Sequence, residues 1–440
     1  MKTGRRPTRI PLWNAPRRDR LVLLLRSGDP HDMSTLELYS RRDPPDEPLL
    51  AERTLIAEAP KTPTGLFANL GPNWFASVMG TGIVAIAAVL LPVKDAGLRT
   101  GALVVWVLAA AMLAVLVVAT ALQWVRYTDK ARSHARNPAM APFYGAPAMA
   151  FLTVGAGALL VGRDLIGSHA AVVVDSVLWG VGTAAGLASS VVIPYLMFTH
   201  HRLEQKDALG SWLMPIVPPM VSAATGAALV GHLPAGQARL TLLLGCYAMF
   251  GLSLIASLII ISIVWARLLY HGPGTTKTVP TVWIVLGPVG QSITAVNLLA
   301  AAAPQAIGQP YSLAMQAFGV LYGIPAWGFA MLWLSIAAAV TIRAARDGLT
   351  FTPTWWSFVF PIGTIVTGTS ELAARTHLVA LTVISVALYV FLVVVWVTVV
   401  SRTAGGVHSR YSTRAQPSAR AEAFGATVLS SQRQNARAGS

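Results

Sequence analysis

Four stretches of the chain pair an aromatic residue with a proline four to six positions later: Phe143 and Pro147, Trp212 and Pro218, Trp283 and Pro288, Trp356 and Pro361. Small and hydroxyl residues follow each proline, among them Thr153, Ser222 and Thr225, Ser292 and Thr294, and Thr364 and Thr367. A fifth stretch, Trp74-Phe-Ala-Ser-Val-Met-Gly-Thr-Gly82, has the same form with Met79 in place of proline, and carries Ser77 and Thr81 beside Gly80 and Gly82. A hydroxyl can donate a hydrogen bond to an anion, and glycine lets a ligand approach the backbone. Neutral donors without a full positive charge hold an anion weakly, which suits rapid passage. The same hydroxyls can instead bond the carbonyls of their own helix. Proline also frees carbonyl oxygens, which repel anions, so kinks alone do not explain a preference for anions.

The prolines are 71, 70 and 73 residues apart, and Met79 lies 68 residues before Pro147. This spacing predicts a repeated unit of about seventy residues used five times. The residues just before each repeat position are Val78, Ala146, Val217, Gly287 and Phe360. Four are small or medium and one is aromatic. If this layer faces one axis, the Phe360 ring fills it as a hydrophobic gate. Phe358, two residues away on another helix face, is the competing ring. The candidate pore-lining set is Gly80, Gly82, Ala146, Val217 and Gly287 with Thr81, Thr153, Thr225, Thr294 and Thr364.

The elements that must hold these residues follow from composition. Of the 440 residues 54% are apolar and 12% charged, with mean hydropathy +0.59. Soluble domains carry about 25% charged residues, so this chain cannot cover a water-facing surface of its size. Ten apolar stretches lie at about 72–91, 101–124, 143–162, 171–198, 211–230, 241–266, 281–303, 312–341, 355–372 and 377–400. Each is long enough to cross a hydrocarbon core of about 30 Å, and helix is the state that satisfies its own backbone there. Stretches 2, 6 and 10 lack proline, as an outer lipid-facing layer would. The expected fold is an all-α integral membrane protein with ten transmembrane helices as five helical hairpins, five inner helices surrounding a central pore.

Charge sets the orientation. The loops after even stretches and both tails hold 28 of the 33 Lys and Arg, and the loops after odd stretches hold 5. The positive-inside rule then places both termini in the cytoplasm. The same distribution explains the net charge of +15 without nucleic acid. Residues 1–65 and 403–440 read as disordered cytoplasmic tails around a domain at 66–402, with Met33 a second candidate start. The single Cys246 forms no intrachain disulfide, and no Cys/His cluster suggests a metal. No cofactor is expected. Neither HExxH nor a GxSxG with triad partners is present, which excludes the common hydrolases.

Only Asp175 and Glu371 fall among the apolar stretches as acids, both near ends. The buried relay of a proton-coupled pump is therefore not evident. Glu371 and Arg375 are spaced to pair at the outer end of the ninth stretch. Gln291 and Asn297 line the path or bond between helices.

The stretch Gly71-Pro-Asn-Trp-Phe-Ala-Ser-Val-Met-Gly-Thr-Gly-Ile-Val84 resembles the first span of the tellurite-resistance/dicarboxylate transporter family, and Trp355-Trp-Ser-Phe-Val-Phe-Pro361 resembles its ninth. The resemblance covers about residues 66–402. It implies a homotrimer in the cell membrane, a bacterial inner membrane here, each subunit with its own pore. It also implies occlusion by a phenylalanine of the ninth span, which matches Phe360. The cargo it implies is small anions: chloride, nitrate, sulfite or a C4-dicarboxylate such as malate. The alternative is a coupled dicarboxylate or sulfite exporter working by alternating access, for which a repeat interface is also suited.

Overall fold

The computed structural model describes residues 70–414, and all regular structure among them is helical. The expected tails, apart from 403–414, lie outside the described residues. Ten helices follow in order: α1 (Phe75–Leu90), α2 (Ala96–Arg126), α3 (Gly145–Gly157), α4 (Ser168–Thr199), α5 (Pro218–Leu229), α6 (Gln237–His271), α7 (Leu286–Ala302), α8 (Tyr311–Arg346), α9 (Trp356–Thr376) and α10 (Val379–Arg414). Two shorter helices, Thr128–Arg136 and Arg163–Ile166, lie in connections.

A 3₁₀ segment precedes every odd-numbered helix: Pro72–Trp74, Ala141–Tyr144, Gly210–Leu213 (four residues ahead of α5), the longer Val279–Val285, and Pro353–Trp355. The repeat prolines sit close to these changes of helix type. Pro147 and Pro288 are the third residues of α3 and α7, and Pro218 is the first of α5. The first N–H groups of a helix have no intrahelical partner, so Pro218 loses nothing there, whereas Pro147 and Pro288 fall where a 3₁₀ helix gives way to α-helix. These prolines stand near the points where the α-helical stretches begin. Pro361, the sixth residue of α9, is the repeat proline that sits inside its helix.

The odd helices meet in a closed cycle. α1 packs on α3, α3 on α5, α5 on α7 and α7 on α9, and α9 returns to α1. Each even helix packs on the odd helix before it and on the next one in the cycle. Buried residues cover nearly the whole circumference of the odd helices. The even helices instead present bare apolar side chains such as Val125, Phe198 and Leu321, at 80%, 83% and 74% exposure. Water would not tolerate that outer surface, and lipid would.

Eight segments are long and apolar enough to cross a membrane, and α5 and α9 fall outside that set. α5 has twelve residues, about 18 Å of helix. α9 is longer but carries five Thr or Ser residues beyond Pro361, with Glu371 and Arg375. Both face other helices rather than lipid, so their sequences need not be apolar throughout.

Close approach and polar ties hold the ring. A Cβ on Gly290 would lie 2.7 Å from the Ile365 nitrogen, so only glycine lets α7 meet the α9 backbone here. Beside it the Thr294 and Thr367 hydroxyls are 2.7 Å apart. Indoles clamp the outer layer to the inner one. Trp106 of α2 donates to the Val154 carbonyl of α3, and Trp179 of α4 to the Ser222 carbonyl of α5. Trp327 of α8 donates to Thr369 Oγ1 of α9, and Trp396 of α10 to Thr81 Oγ1 of α1. Each clamp reaches from an even helix to the next hairpin. Phe250, which has no N–H, falls at the corresponding spacing in α6.

Candidate functional site

Two cavities lie on the ring axis, and side chains from all five odd-helix units line both. The first is toward the leading ends of the helices. Met79, Met149, Val217, Gly287 and Phe360 border it, with Met214, Ile284, Ser357 and Pro361. The second is toward the trailing ends, with Phe360 as its floor. Phe360 is the residue common to the two. Its side chain is 2% exposed, and it stands between a space of about 10 Å³ and one of about 60 Å³. A water needs about 10–15 Å³ on this measure, so the first space is at the limit for one and the second has room for a few.

The second cavity is built in layers. Ile83, Thr153, Val221 and Gln291 form the layer next to the ring; Ile86, Ala156, Ala224, Thr294 and Thr367 form the next; Leu90, Leu160, Ala228 and Leu298 form the outermost. Along each of α1, α3, α5 and α7 these positions run i, i+4, i+7 and i+11 from the leading-cavity residue. That is a single stripe of an α-helix.

The stripe sorts the sequence-predicted residues. Phe360, Val217 and Gly287 border the leading cavity, and a Cβ on Gly287 would meet nothing within 4 Å. Thr153, Thr225 and Thr294 line the trailing one. The other five do not line either cavity. Ala146 is fully buried in the wall, because the α3 stripe passes through Met149, three residues on. Val78 is displaced likewise by Met79. Counting from the prolines misplaced both, since proline sits at different depths in the first turns of the five helices. Gly80 and Gly82 serve helix contacts: added Cβ atoms would lie 3.0 Å from the Trp356 ring and 3.1 Å from Thr153. Thr81 accepts the Trp396 indole at 3.2 Å. Thr364 donates within the α7–α9 contact, to the carbonyl of Leu286 or Pro361.

Phe358 borders neither cavity; its ring stacks edge-on against Trp283 and Trp355, at 5.4 and 5.8 Å between centroids. Arg375 donates to the Asn297 carbonyl at 2.8 Å, and no ion pair joins it to Glu371. Asn297 bonds between α7 and α8, donating to the Ile293 and Gly319 carbonyls. Asp175 is fully buried on α4 against Gly155, with neither carboxylate oxygen in a hydrogen bond.

The hydroxyl chemistry also differs from the expectation. Thr153 donates to the Met149 or Ala150 carbonyl, and Thr225 to the Val221 carbonyl. In the Thr294–Thr367 pair one hydroxyl donates to the other, which donates to its own helix at Gly290 or Thr364. These donors are committed to the protein, so the threonines turn lone pairs rather than protons to the cavity. Met79, Met149, Ile83, Ile86 and Ala156 were missed because they carry no chemistry of their own. The i+4, i+7 stripe from Gly287 would have found their layers.

Similarity to known proteins identifies the family. A family profile described as voltage-dependent anion channel matches residues 69–404. The sulfite efflux pump of Arthroderma otae is 27% identical over 341 residues, covering 76% of this chain and 90% of its own length. An uncharacterized transporter of Methanocaldococcus jannaschii is 26% identical over 326 residues, 74% and 87% of the two chains. A putative malic acid transport protein of Schizosaccharomyces pombe is 21% identical over 347 residues, 76% and 79% of the two chains. Since the profile covers nearly every described residue, from the first 3₁₀ turn into the last helix, the chain belongs to the voltage-dependent anion channel family, as a multi-pass membrane protein of anion transport and not an enzyme.

Proposed function

We propose that the chain conducts small anions along the axis of its five odd helices, through a pore that Phe360 plugs. The position of this ring between two cavities lined from all five helices carries the reading. An apolar ring in a narrow passage blocks ions both by bulk and by excluding water. All ten helices cross the bilayer, with α5 and α9 shielded from lipid by their neighbours, and both termini are cytoplasmic. The leading cavity then faces the cytoplasm and the trailing one the outside. The protein works as a homotrimer in a bacterial inner membrane, each subunit with its own pore.

The cargo class follows from size and from the names of the relatives, which are a sulfite efflux pump and a malic acid transport protein. A cavity that holds a few waters admits a small inorganic anion such as chloride, nitrate or sulfite more readily than malate. Anion substitution on the purified protein in planar bilayers tests this. Anion currents that are passive, and independent of a proton or sodium gradient, are the expected result. Flux that requires such a gradient would point to a coupled exporter instead.

A further inference from the structure

We propose that Gln291 forms the anion-coordinating subsite of the trailing cavity, one helical turn beyond the Phe360 ring; this rests on the pore reading above. Gln291 belongs to the first layer past the plug, with Ile83, Thr153 and Val221. Two of those three are hydrocarbon, and the Thr153 proton is committed to its own helix. The hydroxyls of the next layer are bound within the protein as well. Gln291 is the exception. Its side chain is 4% exposed and lines the cavity, yet its Oε1 has no hydrogen-bond partner and its amide nitrogen makes no hydrogen bond.

A buried amide without partners is unusual, because the desolvation of its polar atoms goes uncompensated. Its neighbour Asn297, six residues on in α7, shows the ordinary outcome: that amide is used up between helices. The Gln291 amide instead belongs to the lining of a space large enough for a few waters, and its two N–H donors are in no hydrogen bond. A dehydrating anion that has just passed an apolar ring needs donors at that point. A neutral amide offers them without the deep trap a lysine or arginine would make, and release stays fast. The N–H donors of this subsite suit an anion, with small size set by the cavity.

The test uses the full-length protein in planar bilayers with Phe360→Ala as the conducting background. Gln291→Leu in that background is expected to lower chloride conductance about tenfold, the worth of one hydrogen bond to a charged group. It should also shift permeability toward weakly hydrated anions, raising nitrate relative to chloride. Gln291→Asn, which keeps the amide, should restore part of both properties. Ser335→Ala, on the exposed face of α8, should leave both as in the background. Thermal melts of each variant in detergent separate loss of conduction from loss of fold. A folded Phe360→Ala/Gln291→Leu protein with the conductance and anion order of Phe360→Ala would overturn the subsite. Absence of current in Phe360→Ala itself would overturn the pore reading, and the subsite with it.

Discussion

Replacing Phe360 by alanine puts the plug to the most direct test. The ring separates spaces of about 10 and 60 Å³, so its removal joins them into one passage along the axis. On the proposed path, an anion meeting the ring must shed most of its water before it meets another polar group. A barrier of about 3 kcal/mol lies at the low end of such desolvation costs. Each 1.36 kcal/mol removed raises a rate tenfold, so conductance should rise on the order of a hundredfold. Loss of fold is the competing outcome, since Phe→Ala in a packed core costs about 3–5 kcal/mol. Here the ring borders open space on two sides, which places the cost near the lower figure. Phe360→Leu keeps apolar bulk and should open the passage less. Phe358 serves as the control, but as Phe358→Leu, because truncation to alanine would empty its contacts with Trp283 and Trp355. Single-channel recording beside thermal melts reads both quantities. A folded Phe360→Ala protein with wild-type conductance would refute the plug.

Three further outcomes follow from the geometry. Gly290→Ala should destabilise the fold by about 1–3 kcal/mol through overpacking against α9, whereas Gly287→Ala should melt like wild type and lower the conductance of the Phe360→Ala background. Melting curves and bilayer currents on the two variants check this, and equal melting would mean the two glycines do not differ in role. In a Cys246→Ser, Phe360→Ala background, Val217→Cys should react with small polar thiol reagents and Ala146→Cys should not. The reverse order would show that the proline-based register describes the axis better than the stripe does. Reporter fusions at Gly236 and after His408 should report opposite sides of the membrane, and a shared side would break the hairpin count.

The all-helical, multi-pass character was legible because long apolar stretches announce themselves. A run of twenty apolar residues has few other uses, and the seventy-residue spacing of aromatic and proline survives in the 3₁₀ segments that precede each odd helix. Phe360, Val217 and Gly287, singled out by that spacing, border the leading cavity. Depth within the helix was not legible. Proline stands near where an α-helical stretch begins, and the beginnings are staggered, so Val78 and Ala146 were each assigned a place that methionine occupies. The hydroxyls were harder still. A threonine facing a pore and a threonine tying two helices have the same neighbours in sequence, and Thr81 and Thr364 proved to be ties. Asp175 lay near the end of an apolar stretch, and only its packing against Gly155 shows that it is buried.

The closure of the ring has a consequence for biosynthesis. Helices leave the ribosome and enter the membrane in chain order, yet α1 contacts α9, the ninth to arrive. Until then the first four hairpins form an open arc, and any water-filled path beside them lacks one wall. The helix that supplies this wall carries Phe360. α10 then draws the seam tight through the Trp396–Thr81 bond. On the pore reading proposed above, the order of synthesis delivers the last stave and its stopper together, so that no stage of assembly leaves a finished but unplugged hole in the membrane.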